Sequence, residues 1–234
     1  MTEEQIRESY ERWLARAGKD EDVAAELKAM REDGQARRDA FYRELTFGTG
    51  GLRGILGAGT NRMNIYTVAR ASRGLAAYVK QTAAGTPRIA VSFDSRIKSA
   101  EFARTAAGVF AAAGIEVYIY PELMPTPCLS FAVRRLNCTA GVMVTASHNP
   151  SKYNGYKVYG ADGCQITGQA ARTILKEIES EDYFDGAEPM PFADGLAAGQ
   201  IRYIGEDVTA AFLEAVKAQS LAERQELSQS VPIV

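Results

Sequence analysis

Arg88-Ile89-Ala90-Val91-Ser92-Phe93, Ile115-Glu116-Val117-Tyr118-Ile119-Tyr120 and Gly141-Val142-Met143-Val144-Thr145 are three short apolar runs rich in β-branched and aromatic residues. Runs of this length, bounded by turn residues, read as buried strands. Between the first two, a helical pattern opens at Ser99, which can cap it, and ends at Gly114. Between the second and third, Pro125-Thr126-Pro127 opens a helix reaching about residue 136. Strands alternating with helices of this length make crossover units. They predict an α/β fold, a mostly parallel sheet sandwiched between helices. Ligands of such sheets collect beyond the carboxyl ends of the strands. Asp94 and Ser147 both fall just past such an end.

On the amino-terminal side, residues 66–80 carry Val68, Ala71, Leu75, Ala76 and Val79 at helical spacing. Before them lies a glycine-rich stretch, Phe47-Gly48-Thr49-Gly50-Gly51-Leu52-Arg53-Gly54, continuing through Gly57 and Gly59. Residues 1–45 differ in texture, with 12 acids and 9 bases against 35 charges in the other 189 residues. Thr2 and Gln5 form a capping-box pattern, and Ile6, Tyr10, Trp13, Leu14 and Ala17 follow at helical spacing until Gly18. A second helix is predicted over 23–30. The segment reads as a helical extension packed by one stripe; a partner-binding helix is the sharper alternative.

On the carboxyl-terminal side, residues 156–166 read as a hairpin around Asp162-Gly163. A helix is expected over 168–178, a loop over 182–200, a strand over 201–204 and a long helix over 206–229. Val231-Pro232-Ile233-Val234 looks like a strand that has only begun. The expected organisation is a helical extension (1–45), a sheet domain (46–205), and a linker helix with the truncated start of a second domain (206–234).

Composition narrows the function classes. The 234 residues hold 27 Lys+Arg and 29 Asp+Glu, a net charge of −2, so no overall field attracts nucleic acid or anionic lipid. No apolar run approaches the roughly 18 residues of a membrane helix. Cys128, Cys138 and Cys164 lack C-x-x-C spacing, which argues against a disulfide framework and a zinc knuckle. Met1-Thr2-Glu3-Glu4 is unlike a signal peptide. The expectation is a cytoplasmic protein with no nucleic-acid or membrane partner.

The most informative residues are Thr145-Ala146-Ser147-His148-Asn149-Pro150. A buried strand delivers a serine into a turn that Asn-Pro enforces. Such a turn displays Ser147 at the sheet edge and leaves neighbouring backbone N–H groups to meet an anion. His148, the only histidine, invites a hydrolase reading. Neighbours on extended backbone point in opposite directions, however, and the G-x-S-x-G pattern is missing. The glycine run is neither a Walker A loop nor a dinucleotide fingerprint, but it sets Arg53 amid backbone able to approach a ligand closely. In Tyr153-Asn154-Gly155-Tyr156-Lys157, alternation puts Tyr156 and Val158 on one face and Lys157 on the other.

Gly48-Thr49-Gly50-Gly51-Leu52-Arg53-Gly54, Asp94-Ser95-Arg96, the Ser147 turn and Asn154-Gly155-Tyr156-Lys157, in that order, resemble the first domain of the α-D-phosphohexomutases. The charged extension is most similar to the phosphoglucomutase branch that includes phosphopentomutases. The resemblance implies that Ser147 carries a phosphoryl group, gives it to a sugar monophosphate, and takes the other phosphate back from the resulting sugar bisphosphate. It implies glucose 1,6-bisphosphate as intermediate and activator. Lys157 would handle the proton of the attacking hydroxyl and Arg53 would lie near the phosphoserine. His148, Asn149, Thr49 and Gly51 would bind phosphate or substrate.

It also implies Mg²⁺, held by the phosphorylated Ser147 and three aspartates of a D-G-D-x-D-R loop. No such run occurs in the 234 residues. The chain therefore reads as an amino-terminal piece of a longer mutase, inactive alone, whose partners are a sugar phosphate and the remaining domains of the same polypeptide. Glucose, mannose and pentose phosphates all fit this reading. The alternative is a degenerate, non-catalytic mutase-like module with a binding or regulatory role.

Overall fold

The computed structural model describes residues 1–48 and 50–220. Residues Met1–Ile204 form one compact unit, and the chain from Gly205 onward belongs to a second. In the first unit, three helices, α1 (Glu3–Arg16), α2 (Glu21–Ala29) and α3 (Gly34–Phe41), precede β1 (Gly51–Ile55) and α4 (Ile65–Thr82). Then follow β2 (Arg88–Phe93), α5 (Ser99–Ala112), β3 (Glu116–Ile119), α6 (Thr126–Arg135), β4 (Ala140–Val144) and β5 (Tyr153–Gly160). The unit closes with α7 (Gly168–Ser180), α8 (Phe192–Ala197) and β6 (Ile201–Tyr203). Of the second unit, α9 (Glu206–Lys217) is described, capped by Gly205. The remainder of the predicted 206–229 helix and the predicted strand at 231–234 lie outside the described residues.

The six strands form one sheet in the order β1-β5-β4-β2-β3-β6. The β2–β3, β2–β4 and β3–β6 pairings are parallel, and β5 runs antiparallel to both neighbours. Helices cover both faces, as expected. Val68, Leu75 and Val79 of α4, Phe102 and Phe110 of α5 and Ile174 of α7 pack on the face that carries Val91, Val142, Tyr156 and Val158. Leu129 and Val133 of α6 pack with Ala90, Met143 and Tyr159 on the other face. Burial on both faces explains why β2 and β4 read as continuous apolar runs rather than alternating ones.

Several local expectations need correction. Residues 51–55, read as a glycine loop, form edge strand β1. Gly51 pairs with Lys157, and a Cβ there would collide with the Tyr156 carbonyl oxygen, so glycine is what allows the two strands to close. Helix α3 and the short α8 have no counterpart among the predicted elements. Ser99 does not cap α5: Lys98, at φ 66°, holds that position, while the Ser99 hydroxyl donates to Asp94 at 2.8 Å. The hairpin after β5 keeps its turn at Gly163 (φ 77°), but its second arm pairs through the single bridge Tyr159–Gln165.

The capping box of α1 forms as read, Thr2 accepting from the Gln5 amide and Gln5 from the Thr2 amide. Ile6, Tyr10 and Trp13 are buried with Leu27, Phe41, Ala58 and Tyr66, so the stripe of the extension closes over α4. Arg12 clasps Asp182 through two hydrogen bonds of 2.9 and 2.7 Å, and Asp182 also accepts from the amides of Phe184 and Asp185. Burial pushes the Asp182 carboxyl up, but Arg12 and the two amides outweigh it and hold the group at about 2. A depressed carboxyl stabilises fully above its unfolded value of about 3.9, and that stability is lost as pH falls toward the folded value. The stability difference between the native chain and Asp182→Asn is therefore expected to be flat above about pH 5 and to vanish near pH 2. Because the pair is partly exposed, the plateau should be below about 1 kcal/mol. Urea midpoints across pH 2–6 measure it; a difference that persists unchanged near pH 2 would contradict the assignment.

Cys128 and Cys138 are buried and Cys164 is exposed, all three as free thiols. Among the described residues no helix is long and apolar enough to cross a membrane.

Candidate active site

Three segments distant in sequence, the glycine stretch, the serine turn and β5, meet around one cleft. Strand β4 ends at Val144 and delivers Thr145 and Ala146, both buried, then Ser147 and His148, both exposed. On β5, Tyr156 and Val158 turn into the core and Lys157 turns to the opposite face, half-buried, as alternation predicts. Register pairs Lys157 with both Gly51 of β1 and Met143 of β4, and Arg53 with Gly155. Gly155 lacks a side chain for a reason: a Cβ there would sit 2.6 Å from the Thr145 carbonyl oxygen. The Thr145 amide donates to Gly155, so the strand pairing holds to the edge of the serine turn.

The result is a cleft of about 450 Å³ lined by Ser147, His148, Asn149, Lys157, Arg53 and Gly51, together with Thr46, Gly48 and Gln165. Thr49 lies outside the described residues. Arg53 donates to the Asn149 side-chain oxygen at 3.3 Å, joining the glycine segment to the serine turn. Two basic side chains, Arg53 and Lys157, thus share the cleft with the exposed hydroxyls of Ser147 and Thr46, an arrangement suited to a phosphate.

The turn differs from the expected one in two ways. Ser147 is left-handed, at φ 55°, not extended. This turns the hydroxyl toward its neighbour, and Ser147 Oγ lies 3.3 Å from His148 Nδ1, so the two side chains do not point apart. The case against a hydrolase then rests on the missing nucleophile-elbow pattern and on the absence, among the described residues, of a carboxylate bonded to His148 that would orient its ring. Second, the turn's amides are mostly occupied. The Ser147 amide donates to Thr145 Oγ1 at 2.8 Å and the Asn149 amide to the Ala146 carbonyl at 3.1 Å. Among the described residues only the His148 amide of these three has no protein acceptor, so the backbone offers an anion less than expected.

The largest omission of the sequence reading is Arg96. It belongs to the quoted Asp94-Ser95-Arg96 motif, yet nothing in the sequence shows what it touches. Its Nη2 donates to the carbonyls of Ser147 (2.6 Å) and Asn149, and its Nη1 to those of Pro150 and Tyr153, both at 3.1 Å. Thr46 and Gln165 also line the cleft without any distinguishing pattern in sequence.

Magnesium prefers about six oxygen ligands. Among the described residues no three His, Cys, Asp or Glu side chains gather to hold a metal, and the Ser147 hydroxyl is the site's one oxygen of the expected set. The donor set of the described residues does not by itself fit the ion.

Known proteins share this chain's sequence and fold. The pattern of the phosphoglucomutase/phosphomannomutase alpha/beta/alpha domain I matches residues 44–185. A phosphoglucomutase of Staphylococcus aureus (strain bovine RF122 / ET3-1) is 43% identical over 169 residues, 72% of this chain and 30% of that protein. The phosphoglucomutase of strain USA300 is 46% identical over 143 residues, 61% of this chain and 26% of that protein. Among solved structures, a protein assigned as a phosphomannomutase in Thermus thermophilus superposes with a TM-score of 0.60 at 30% identity, over 75% of this chain and 36% of that one. A phosphoglucomutase/phosphomannomutase family protein of Burkholderia thailandensis shares the fold, with a TM-score of 0.56 at 24% identity over 74% and 35%. The chain belongs to the phosphoglucomutase/phosphomannomutase family and carries its α/β/α domain I. It spans less than a third of the length of these curated relatives.

Proposed function

We propose that the chain supplies the phosphoryl-carrying serine of a sugar-phosphate mutase that interconverts sugar 1-phosphates and 6-phosphates. The observation that carries the reading is the gathering of Ser147, His148, Asn149, Arg53 and Lys157, from separate segments, around one open cleft. In the first half-reaction a sugar hydroxyl attacks the phosphorus on Ser147. The bond from phosphorus to Ser147 Oγ breaks, a bond to the sugar oxygen forms, and Lys157 Nζ takes the hydroxyl proton as general base. The sugar bisphosphate then turns around. Ser147 Oγ takes the other phosphoryl group, and the proton returns to the departing sugar oxygen.

The residues are suited to this chemistry because phosphoryl transfer asks the protein mainly for positioning and charge compensation. A phosphoserine adds about −1.5 to −2 charge near neutral pH, and the Arg53 guanidinium lines its cleft as the countercharge. Asn149 orients Arg53. Glucose 1,6-bisphosphate is the proposed intermediate and activator. Mg²⁺ belongs to the proposal through the phosphorylated Ser147, with its remaining ligands, the sugar-selecting loop and the other domains supplied by further polypeptide. The proposed setting is the cytoplasm.

Assay of the complete protein on glucose, mannose and ribose 1-phosphates, with a trace of the bisphosphate, tests the reading. Turnover of at least one sugar by the complete protein is expected, with negligible turnover by the 234 residues alone. Silence of the complete protein on all three would favour the non-catalytic module. Full-rate turnover by the 234 residues would refute the division of the active site.

A further inference from the structure

We infer that Arg96 is a positioning residue for Ser147, its guanidinium holding the serine turn in the shape that presents the hydroxyl; the kinetic consequence rests on the mutase reading above. Four carbonyl oxygens, from Ser147, Asn149, Pro150 and Tyr153, converge on this one side chain. Carbonyl dipoles pointing at a common place repel one another, so the turn needs a cation with several donors in a fixed fork. Arginine has five N–H donors in a plane, whereas lysine has three on a single nitrogen. Four of the five reach these carbonyls, and the Nε edge faces Asp94 at 3.7 Å. All of these contacts except Asp94 are to backbone, so Arg96 acts on the hydroxyl through the path of the chain.

The turn has a reason to need holding. Ser147 is a non-glycine residue at φ 55°, a conformation that persists where its surroundings enforce it. Arg96 is itself fixed. Its amide donates to Asp94 Oδ1 at 3.0 Å, and the same oxygen accepts from Ser99 at 2.8 Å. Asn154, fully buried, donates to the Ile97 carbonyl and to Ser99 Oγ, each at 3.0 Å. One residue further, Lys98 pairs with Asp22 of α2 at 2.7 Å and Glu101 at 3.0 Å. The turn is thus tied through Arg96 to β2, β5 and the amino-terminal helices.

The test uses the complete protein with Arg96→Ala and Arg96→Lys. In Arg96→Ala, kcat should fall about 100-fold, the scale of a small misplacement of a reacting group, while KM changes only a few-fold. Guanidinium added at sub-denaturing concentration should restore about a tenth or more of the lost rate, and Arg96→Lys should recover only part. Hydrogen exchange should quicken about tenfold in residues 145–153 and stay unchanged in the amides of β2 and β4. Unchanged exchange of residues 145–153 would overturn the inference whatever the activity does. Quickened exchange with unaltered kcat would overturn the link to Ser147. If Arg96→Ala unfolds, the same readouts on Arg96→Lys decide. A wild-type protein that neither turns over sugar phosphates nor takes phosphate on Ser147 would remove the mutase reading, and the exchange result alone would then judge the positioning role.

Discussion

Ser147→Ala is expected to lower sugar-phosphate turnover by the complete protein about 10⁴-fold or more, because it deletes the atom that carries the phosphoryl group between half-reactions. The substitution leaves the turn intact. The Ser147 amide bonds to Thr145, its carbonyl bonds to Arg96, and neither contact uses the hydroxyl. The side chain is exposed, so its loss opens no cavity. Melting temperature should therefore stay within about 2 °C of the native value while activity disappears. His148, 3.3 Å from the serine oxygen, is the neighbour that could substitute as phosphoryl carrier. Turnover of more than about 1% of wild type in Ser147→Ala would point there, and the proposed role of the serine would be wrong.

Trp13→Ala should destabilise the protein by about 3–5 kcal/mol, the cost of removing a large aromatic side chain from a packed core. Trp13 is 1% exposed. Its ring meets Phe41 of α3 at 5.8 Å, Tyr66 of α4 at 5.4 Å, and Tyr183 and Phe184 beyond α7 at 5.3 Å each, all edge-on. The residue thus joins the charged amino-terminal helices to two elements of the sheet unit. Denaturant unfolding should shift its midpoint with an unchanged slope and a single transition. A loss below about 1 kcal/mol, or a biphasic curve, would mean that the helices sit loosely on the sheet.

What could be read in the sequence follows from where side chains do the work. Strands β2, β3 and β4 announce themselves because buried strands need apolar residues, and α4 does so because Val68, Leu75 and Val79 share a face. Strand β1 does not. Gly51 and Gly54 are there for close approach, to Tyr156 and to Leu45, and a strand built on absent side chains has no alternation to detect. The antiparallel direction of β5 is likewise invisible to local pattern, since both directions use the same residues.

The cleft was legible in part for the same reason. Ser147, Arg53 and Lys157 stand out as residue types in suggestive places. Alternation orients Lys157 correctly but fails at Ser147, because one left-handed residue breaks the two-residue period. Arg96 escaped because its partners are carbonyl oxygens, which every residue possesses and no sequence marks.

The central claim concerns Ser147 as the carrier of phosphate, and peptide-resolved mass spectrometry of the complete protein tests it most directly. After incubation with glucose 1,6-bisphosphate, one phosphoryl group should be found on Ser147 and should leave when glucose 6-phosphate is added as acceptor. Phosphate on another residue, or a Ser147 that stays unmodified while turnover proceeds, would contradict the account.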